Sequence, residues 1–304
     1  MINTMKNKLL ASMLILGMIV LSSIPAKSQD LDALLDKEVK PETTYATATF
    51  KSTRIVNGHS VERMKKKQLE FRVSHRFDPI NTGSYNFYGL DFGKIHLALE
   101  YGVTDWLEFG VGRSSYDKTY DAFGKLSILR QSKGVKNMPI HLSYLLSTEV
   151  MSINTNAAMQ KDFYARMSFI QQILIARKIN ESVSLQLTPT FIHRNLVPTE
   201  IDKNDLFALG AGGRYKLTKR VALNVEYYYV YRANANSQTV KYFNPLSIGI
   251  DIETGGHVFQ IMLTNAIAMR EGGFIGKTVD SWSNGGIRLG FNISRVFSFN
   301  NKTL

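Results

Sequence analysis

The chain has no cysteine among its 304 residues, which excludes several classes of protein at once. Without thiols there are no disulfide scaffolds, no Cys-ligated zinc sites, no iron–sulfur clusters and no thiol nucleophiles. Proline is scarce at 7 residues, and there are 2 tryptophans against 14 tyrosines and 17 phenylalanines. The mean hydropathy of -0.12 is too low for a multi-span helical membrane protein. Hydrophobic residues still make up 44% of the chain, which is too many for a disordered protein.

The N-terminus has the residue order of a secretory signal peptide. Two lysines precede the apolar run Leu9–Leu21, and small residues follow it. This run is shorter than the roughly 20 residues that a membrane-spanning helix needs, which disfavours a permanent anchor. Ala26 and Ser28 are the small residues expected before a cleavage site. We therefore predict that residues 1–28 are removed and that the mature chain begins at Gln29.

The formal net charge of +12 raises the question of a nucleic-acid partner. An exported chain seldom meets nucleic acid, and the basic residues are dispersed along the sequence. The one compact basic cluster is Lys65–Lys67, and no aromatic residues are interleaved with it. Since nucleic-acid interfaces concentrate basic residues on one face, we expect no nucleic-acid partner.

Beyond residue 40, apolar residues alternate with polar or small ones, which is the period of half-buried β-strands. In Leu246–Ile252, for example, the four large aliphatic residues alternate with Ser247, Gly249 and Asp251. No sustained helical period competes with this pattern. Twelve strands are predicted: Gln68–Phe77, Ile95–Val103, Leu107–Arg113, Asp121–Leu129, Ile140–Thr148, Phe163–Arg177, Val183–Phe191, Leu206–Leu217, Val221–Tyr231, Leu246–Ile252, His257–Ala266 and Ile287–Ile293.

The connections between these strands alternate between short and long, which is typical of an outer-membrane barrel. The short connections are Thr104–Trp106, Ile179–Ser182, Thr218–Arg220 and Glu253–Gly256. A soluble periplasmic β-sandwich is the competing interpretation, but a sandwich has no reason to separate loop lengths by side. We therefore predict an all-β fold: a closed antiparallel transmembrane β-barrel of about 12 strands over residues 68–299, followed by a C-terminal tail at 300–304.

Two turns allow the strand register to be predicted as well. A three-residue turn at Thr104–Trp106 pairs Tyr101 with Phe109 and places apolar residues on one face. A four-residue turn at Glu253–Gly256 pairs Ile250 with Phe259 on the same reasoning.

An even strand count, with the last strand ending in the periplasm, leaves residues 29–67 outside the barrel wall. We interpret them as a periplasmic N-terminal segment, with Lys65–Lys67 at the inner rim. The sequence leaves open whether this segment is partly inserted into the lumen or is a solvated linker.

Several segments resemble a family of uncharacterised outer-membrane β-barrel proteins of gram-negative bacteria. They are HRFDPI at 75–80, NFYGLD at 86–91, EYGVTDWLEFGVGRS at 100–114, ETGGHVFQIMLTNA at 253–266 and RLGFNISRVF at 288–297. The resemblance covers residues 43–299. It implies an outer-membrane location and a barrel fold, and it implies no particular activity, cofactor or catalytic residue.

A search for catalytic or metal-binding motifs gives little. The six histidines are not in HExxH or a comparable metal spacing, so we expect no metal and no cofactor. Residues 272–278, GGFIGKT, lack the first glycine of a phosphate-binding loop, because position 271 is glutamate. His141 and Ser143, with Asn154 or Asn156, are similar to the outer-membrane phospholipase family, whose chemistry uses a histidine base, a serine nucleophile and an orienting asparagine. We expect no enzyme, and a lipid hydrolase is the catalytic alternative.

The polar face of the predicted strands supplies the candidate functional residues. They carry both signs of charge, so neighbours can pair or line a water-filled path. The lumen-facing candidates are Glu70, Arg72, His96, Glu100, Glu108, Arg214, Glu226, Asp251 and Arg288. We predict a narrow pore or a barrel that binds or transports a small solute, and a filled structural barrel remains open. The expected partners are outer-membrane lipid, the barrel-assembly machinery and a small solute.

Overall fold

The computed structural model describes residues 42–153, 162–197, 201–232 and 240–299. The predicted signal peptide, the residues just after its cleavage site and the C-terminal tail lie outside these ranges. All twelve predicted strands form, and they close into one antiparallel barrel. They are β1 (Gln68–Pro79), β2 (Gly93–Gly102), β3 (Leu107–Ser114), β4 (Thr119–Leu129), β5 (His141–Met151), β6 (Met167–Lys178), β7 (Val183–Arg194), β8 (Asp205–Lys216), β9 (Val221–Tyr231), β10 (Leu246–Thr254), β11 (His257–Thr264) and β12 (Arg288–Ser298).

Each strand pairs with its neighbour in sequence, and β12 pairs with β1 to close the ring, as at Ile293 and Val73. Helical structure in the described ranges is confined to the connections. It comprises α1 (Glu271–Phe274) and five short 3-10 turns at Ile80–Thr82, Ser84–Gly89, Tyr116–Lys118, Tyr164–Arg166 and Trp282–Asn284. None of the described helices is long and apolar enough to cross a membrane.

The two ends of the barrel differ in their connections, as the sequence predicts. One end, here called the short-turn end, carries connections 103–106, 179–182, 217–220, 255–256 and 130–140. The other, the long-loop end, carries 80–92, 115–118, 152–166, 195–204, 232–245 and 265–287. Two connections depart from strict alternation of length. Residues 115–118 make a tight turn at the long-loop end, whereas 130–140 is long because it contains the two-residue strand Ser132–Lys133, which pairs with Thr44–Tyr45 outside the barrel.

The alternating apolar and polar residues of each strand lie on opposite faces of the barrel wall. On β10, Ile248 and Ile250 are 38% and 42% exposed on the outside, while Ser247 and Asp251 are at most 2% exposed on the inside. The same division holds around the ring. The outer surface is an apolar belt of aliphatic and aromatic side chains, which suits contact with hydrocarbon. The polar side chains converge on the lumen.

The register predicted at the β2–β3 turn is confirmed, since Tyr101 pairs with Phe109 and Glu100 with Gly110. The register predicted for β10 and β11 is wrong by two residues. Ile250 pairs with Ile261 rather than Phe259, because the chain turns within Gly255 and Gly256 and the ladder continues to the pair Thr254 and His257. A shift of two residues keeps every side chain on its face, so the alternation alone does not distinguish the two registers.

The described residues before β1 do not extend the barrel wall. Residues 49–62 run inside the lumen, where Phe50, Ile55 and Val56 are at most 2% exposed. The chain leaves the lumen at the short-turn end, where the Lys67 amide donates to the Gly102 carbonyl at 2.9 Å. Lys65–Lys67 therefore lie at the rim of that end. The periplasmic assignment of residues 29–67 stays a prediction.

Candidate functional site

Residues 53–60 form a tight hairpin inside the barrel, here called the lumenal hairpin. Arg54 and His59 form an isolated antiparallel bridge, and the Ser60 amide donates to the Thr53 carbonyl at 2.9 Å. Ile55 donates to the Gly58 carbonyl at 2.9 Å across the turn. Asn-Gly sequences such as Asn57-Gly58 favour tight turns because both residues fit turn geometry readily. The sequence thus favours a hairpin here, and the barrel encloses it.

The carboxylate of Glu226 on β9 holds the tip of the hairpin. It accepts hydrogen bonds from three successive backbone amides, those of Val56, Asn57 and Gly58, at 3.4, 3.2 and 2.9 Å. These three amide donors partly offset the cost of burying the carboxylate. Gly58 permits this approach, since a Cβ there would lie 2.3 Å from the hydroxyl of the buried Tyr228.

Three amide side chains of the wall bind the rest of the hairpin backbone and Val61, which follows it. Gln186 accepts from the Val61 amide at 2.9 Å and donates to the His59 carbonyl at 2.8 Å. Gln260 donates to the Ile55 carbonyl and Asn292 to the Val56 carbonyl, both at 3.1 Å. Because buried backbone groups must be paired, these contacts make the hairpin compatible with a dry lumen.

An ionic cluster lies beside the hairpin. Arg54 donates through Nη2 to Oε1 of Glu100 at 3.1 Å, and Thr53 donates to Oε2 of the same carboxylate at 2.6 Å. Arg72 contacts Glu70 and Thr53, and its Nη2 lies 3.6 Å from Glu100. All of these side chains are buried, so the charges are compensated by one another rather than by solvent.

A second insert enters from the long-loop end. Residues 265–278 fold into the lumen, and Phe274 and Ile275 are fully buried in an apolar cluster with residues of β6, β7, β8 and β9. Glu149 fixes the start of α1, because it pairs with Arg270 and accepts from the Gly272 amide at 2.8 Å. The insert reaches the lumenal hairpin, where Oε1 of Glu271 accepts from Nη1 of Arg54 at 2.9 Å.

Two titratable groups at this junction are strongly influenced by burial. Burial raises the pKa of the Glu271 carboxyl above its ordinary value, and the Arg54 guanidinium opposes that rise. Burial lowers the pKa of the His59 imidazole well below its ordinary value, and the charge of Arg54 lowers it further. The two groups lie 3.6 Å apart between His59 Nε2 and Glu271 Oε1. Burial and the neighbouring cation thus both disfavour the charged form of His59.

A small cavity lies between the hairpin and the wall. A cavity of about 10 Å³, which is room for about one water molecule, lies among Arg54, Arg72, Arg76 and His96. Within the described ranges, no group of three or more His, Asp or Glu side chains has the geometry of a metal site.

The structure places all nine predicted lumen-facing residues inside the barrel, at 5% exposure or less. Four of them contact the hairpin or belong to its ionic cluster: Glu70, Arg72, Glu100 and Glu226. Arg214 contacts the chain before the hairpin, where its Nη1 donates to the Ala48 carbonyl at 3.3 Å. The other four bind mainly within the wall or the loops. His96 pairs with Asp121 at 2.8 Å, Glu108 with Lys125 at 3.0 Å, Asp251 with Gln260 at 2.8 Å, and Arg288 with Asp78 at 3.3 Å.

Sequence reasoning missed two kinds of residue. Gln186, Gln260 and Asn292 occupy inward positions of predicted strands, so the alternation could have found them. Arg54 and Glu271 lie outside the strands, and no local pattern marks them.

Of the residues of the hydrolase alternative, the structure describes His141 and Ser143, and no hydrogen bond joins them. His141 Nε2 lies 3.1 Å from Thr49 Oγ1, and its Nδ1 faces the Gln131 amide at 3.4 Å. Both ring nitrogens thus point to partners other than Ser143, which lies two residues along the same strand. Asn154 and Asn156 lie outside the described residues.

Comparisons with solved structures show likeness at low sequence identity. The NanC porin covers 76% of this chain and 98% of its own, with 8% identity and a TM-score of 0.46. The KdgM porin covers 76% of this chain and 99% of its own, with 9% identity and a TM-score of 0.45. An outer membrane channel from Pseudomonas putida F1 covers 78% of this chain and 97% of its own, with 12% identity and a TM-score of 0.48.

No curated protein matches the sequence. The sequence does match a family over residues 50–297, which include the hairpin and all of the barrel except its last residue. The chain therefore belongs to the family described as "Membrane bound beta barrel domain (DUF5777)".

Proposed function

We propose that this protein is an outer-membrane pore for small hydrophilic solutes, closed in the present state by the lumenal hairpin. The observation that carries the proposal is the charged wall beneath the hairpin, which includes Glu70, Arg72, Glu100 and Arg76. Buried ion pairs stabilise a fold little compared with apolar packing of the same volume. A wall of this composition suits a state in which the hairpin has left and water has entered.

The hairpin is suited to leaving. Thr53, Arg54, Asn57, His59 and Ser60 are polar, so water can solvate them once they are released. Its polar attachments to the wall are hydrogen bonds and ion pairs, which exchange readily for bonds to water. Ile55 and Val56 also pack against Leu174, Ala176 and Met262 of the wall, and this apolar contact opposes release. An opened lumen would then present both signs of charge to a passing solute.

The proposed location follows from the sequence and the outer surface together. We expect export through the predicted signal peptide, cleavage before Gln29, insertion by the barrel-assembly machinery and a surrounding belt of outer-membrane lipid. The mature protein should fractionate with outer membranes, and unboiled and boiled samples should migrate differently in SDS gels because a closed barrel resists detergent.

A filled structural barrel is the second candidate, and one observation favours it. The insert from the long-loop end packs through an apolar cluster that contains Phe274, Ile275, Ile192 and Leu206. Apolar packing of this kind is not readily replaced by water. If this insert never moves, the barrel conducts nothing even when the hairpin is released.

We expect no enzymatic activity. The hydrolase alternative would require His141 to turn from Thr49 toward Ser143. A lipase assay on the refolded protein tests it, with Ser143→Ala as the matched control, and hydrolysis that this change abolishes would establish the enzyme.

The decisive experiment for the pore is single-channel recording with a reversible lock. Asn57 of the hairpin donates to Ser247 Oγ on the wall at 2.8 Å. The chain has no cysteine, so Asn57→Cys with Ser247→Cys creates a unique pair that a short, reducible thiol cross-linker can bridge. We expect brief openings in the wild type and in the reduced variant, and silence in the cross-linked one.

Each single cysteine variant treated with the same cross-linker is the control. Equal conductance in the locked and reduced forms would show that the hairpin is not the gate. Silence in every form, including variants that loosen the hairpin, would favour the filled structural barrel.

A further inference from the structure

The lumen wall binds the main chain of the hairpin over a continuous stretch. From the Ile55 carbonyl to the Val61 amide, four wall side chains make seven hydrogen bonds to backbone atoms: Glu226, Gln186, Gln260 and Asn292. Glu226 and Gln186 accept hydrogen bonds from backbone amides, and Gln186, Gln260 and Asn292 donate to backbone carbonyls. This is a complementary surface for a peptide backbone.

Gln186 illustrates the type of recognition. Its amide group accepts from Val61 and donates to His59, at 2.9 and 2.8 Å, as a neighbouring strand would. Side-chain amides placed this way pair with any residue, because the atoms they contact are common to all amino acids. The contact therefore selects a peptide backbone rather than a particular side chain.

The hairpin needs the wall because it satisfies few of its own groups. Two backbone bonds join its arms, from Ile55 to Gly58 and from Ser60 to Thr53. The amides of Val56, Asn57 and Gly58 all point instead to Glu226, whose carboxylate occupies the position that a partner strand or water would take. The Glu226 carboxylate is thus the hydrogen-bond acceptor for three successive amide donors.

Local shape adds one element of selectivity. Gly212 on β8 makes room for Ile55, since a Cβ there would lie 2.5 Å from its Cδ1. Gly58 lies against Tyr228 and tolerates no side chain. The site therefore accommodates a small residue at the turn and an aliphatic residue three positions before it.

We infer that this wall is a binding site for short peptides and that the lumenal hairpin is its intramolecular occupant. The inference rests on the proposed pore and names its solute class: a peptide with a tight turn containing glycine. When the hairpin leaves, the same side chains offer their donors and acceptors to the backbone of an incoming peptide.

The test measures binding, without reference to conductance. The probe is a fluorescent synthetic peptide of residues 49–62, TFKSTRIVNGHSVE, added to the full-length protein in detergent while anisotropy is recorded. In the wild type the tethered hairpin competes at an effective concentration of roughly millimolar, so binding should be weak. In Gly58→Ala the hairpin is displaced by the clash with Tyr228, and we expect binding about tenfold tighter.

Arg54→Ala provides a second host, because it removes the ion pairs of Arg54 with Glu100 and Glu271 and leaves all four peptide-binding side chains in place. It should also bind the peptide more tightly than the wild type. Either host suffices if the other fails to fold.

Two controls address the backbone directly. A peptide N-methylated at the residues corresponding to Asn57 and Gly58 lacks two of the amides that Glu226 accepts, and its affinity should fall by about tenfold or more. Gln186→Leu, introduced into the Arg54→Ala host, should weaken binding of the unmodified peptide in the same direction.

Absence of peptide binding in both hosts would overturn the inference, as would equal affinity for the N-methylated peptide. Its failure is distinguishable from failure of the proposed pore. A protein that conducts when unlocked but binds no peptide retains the pore and loses the peptide site. A protein that binds the peptide but stays silent keeps the site within a barrel that does not conduct.

Discussion

Arg54 donates through Nη1 to Oε1 of Glu271 at 2.9 Å, although the two residues enter the lumen from opposite ends of the barrel. Arg54 belongs to the hairpin that leaves at the short-turn end, and Glu271 begins α1 in the insert from the long-loop end. Arg54 also pairs with Glu100 on β2, so one guanidinium joins both inserts to the wall. Arg54 is therefore a direct contact between the two inserts.

The first prediction concerns this pair. Arg54→Ala leaves Glu271 buried without its cation and should lower the free energy of unfolding by about 3–5 kcal/mol. Glu271→Ala should cost less, because Arg54 keeps Glu100 as a partner. The double variant should be little worse than Arg54→Ala alone. Chemical denaturation in lipid vesicles measures all three, and additive losses would mean that the two residues do not interact.

The second prediction separates steric crowding at the hairpin tip from a general effect of removing glycine. Gly58→Ala places a Cβ 2.3 Å from the Tyr228 hydroxyl, whereas Gly256→Ala in the β10–β11 turn meets nothing within 4 Å. Overpacking of this kind costs about 1–3 kcal/mol, so the hairpin should undock more often in Gly58→Ala. Hydrogen exchange of the Ser60 amide reports undocking. Equal exchange rates in the two variants would contradict the placement of the tip.

The third prediction tests the lipid-facing surface at two depths on one strand. Ile248 and Thr254 share the outer face of β10, but Thr254 lies at the end of the strand. Ile248→Arg places a charge in hydrocarbon and should cost about 2–4 kcal/mol, while Thr254→Arg lies near the interface and should cost about 0–1 kcal/mol. Unfolding in vesicles measures both. A similar cost at the two positions would argue against a membrane belt on this face.

The fourth prediction concerns orientation. A peptide tag inserted in 195–204, at the long-loop end, should react with antibody on intact cells. A tag in 179–182, at the short-turn end, should react only after the outer membrane is permeabilised. The permeabilised sample is the control for expression of both tags. Reaction of the second tag on intact cells would show that the barrel has the opposite orientation.

The sequence by itself determined the wall of this protein. A period of two residues determines which residues form strands and which face of the wall each side chain occupies. This period is local and is repeated in every strand. It therefore predicted twelve strands, the closed barrel and the inward position of residues such as Glu226 and Arg72. It did not determine the β10–β11 register, because a shift of two residues leaves both faces unchanged.

Only the tertiary structure decided what fills the lumen. Arg54 and Glu271 are 217 residues apart in sequence, and neither lies in a strand whose alternation would place it. Their meeting depends on the barrel's enclosing two separate segments and on the need to pair every buried charge and amide there. The position of Glu226 depends on the sequence pattern, whereas its contacts depend on the tertiary structure. The alternation of β9 points it inward, but its role at the hairpin tip follows from three amides more than 160 residues away, which no local pattern records.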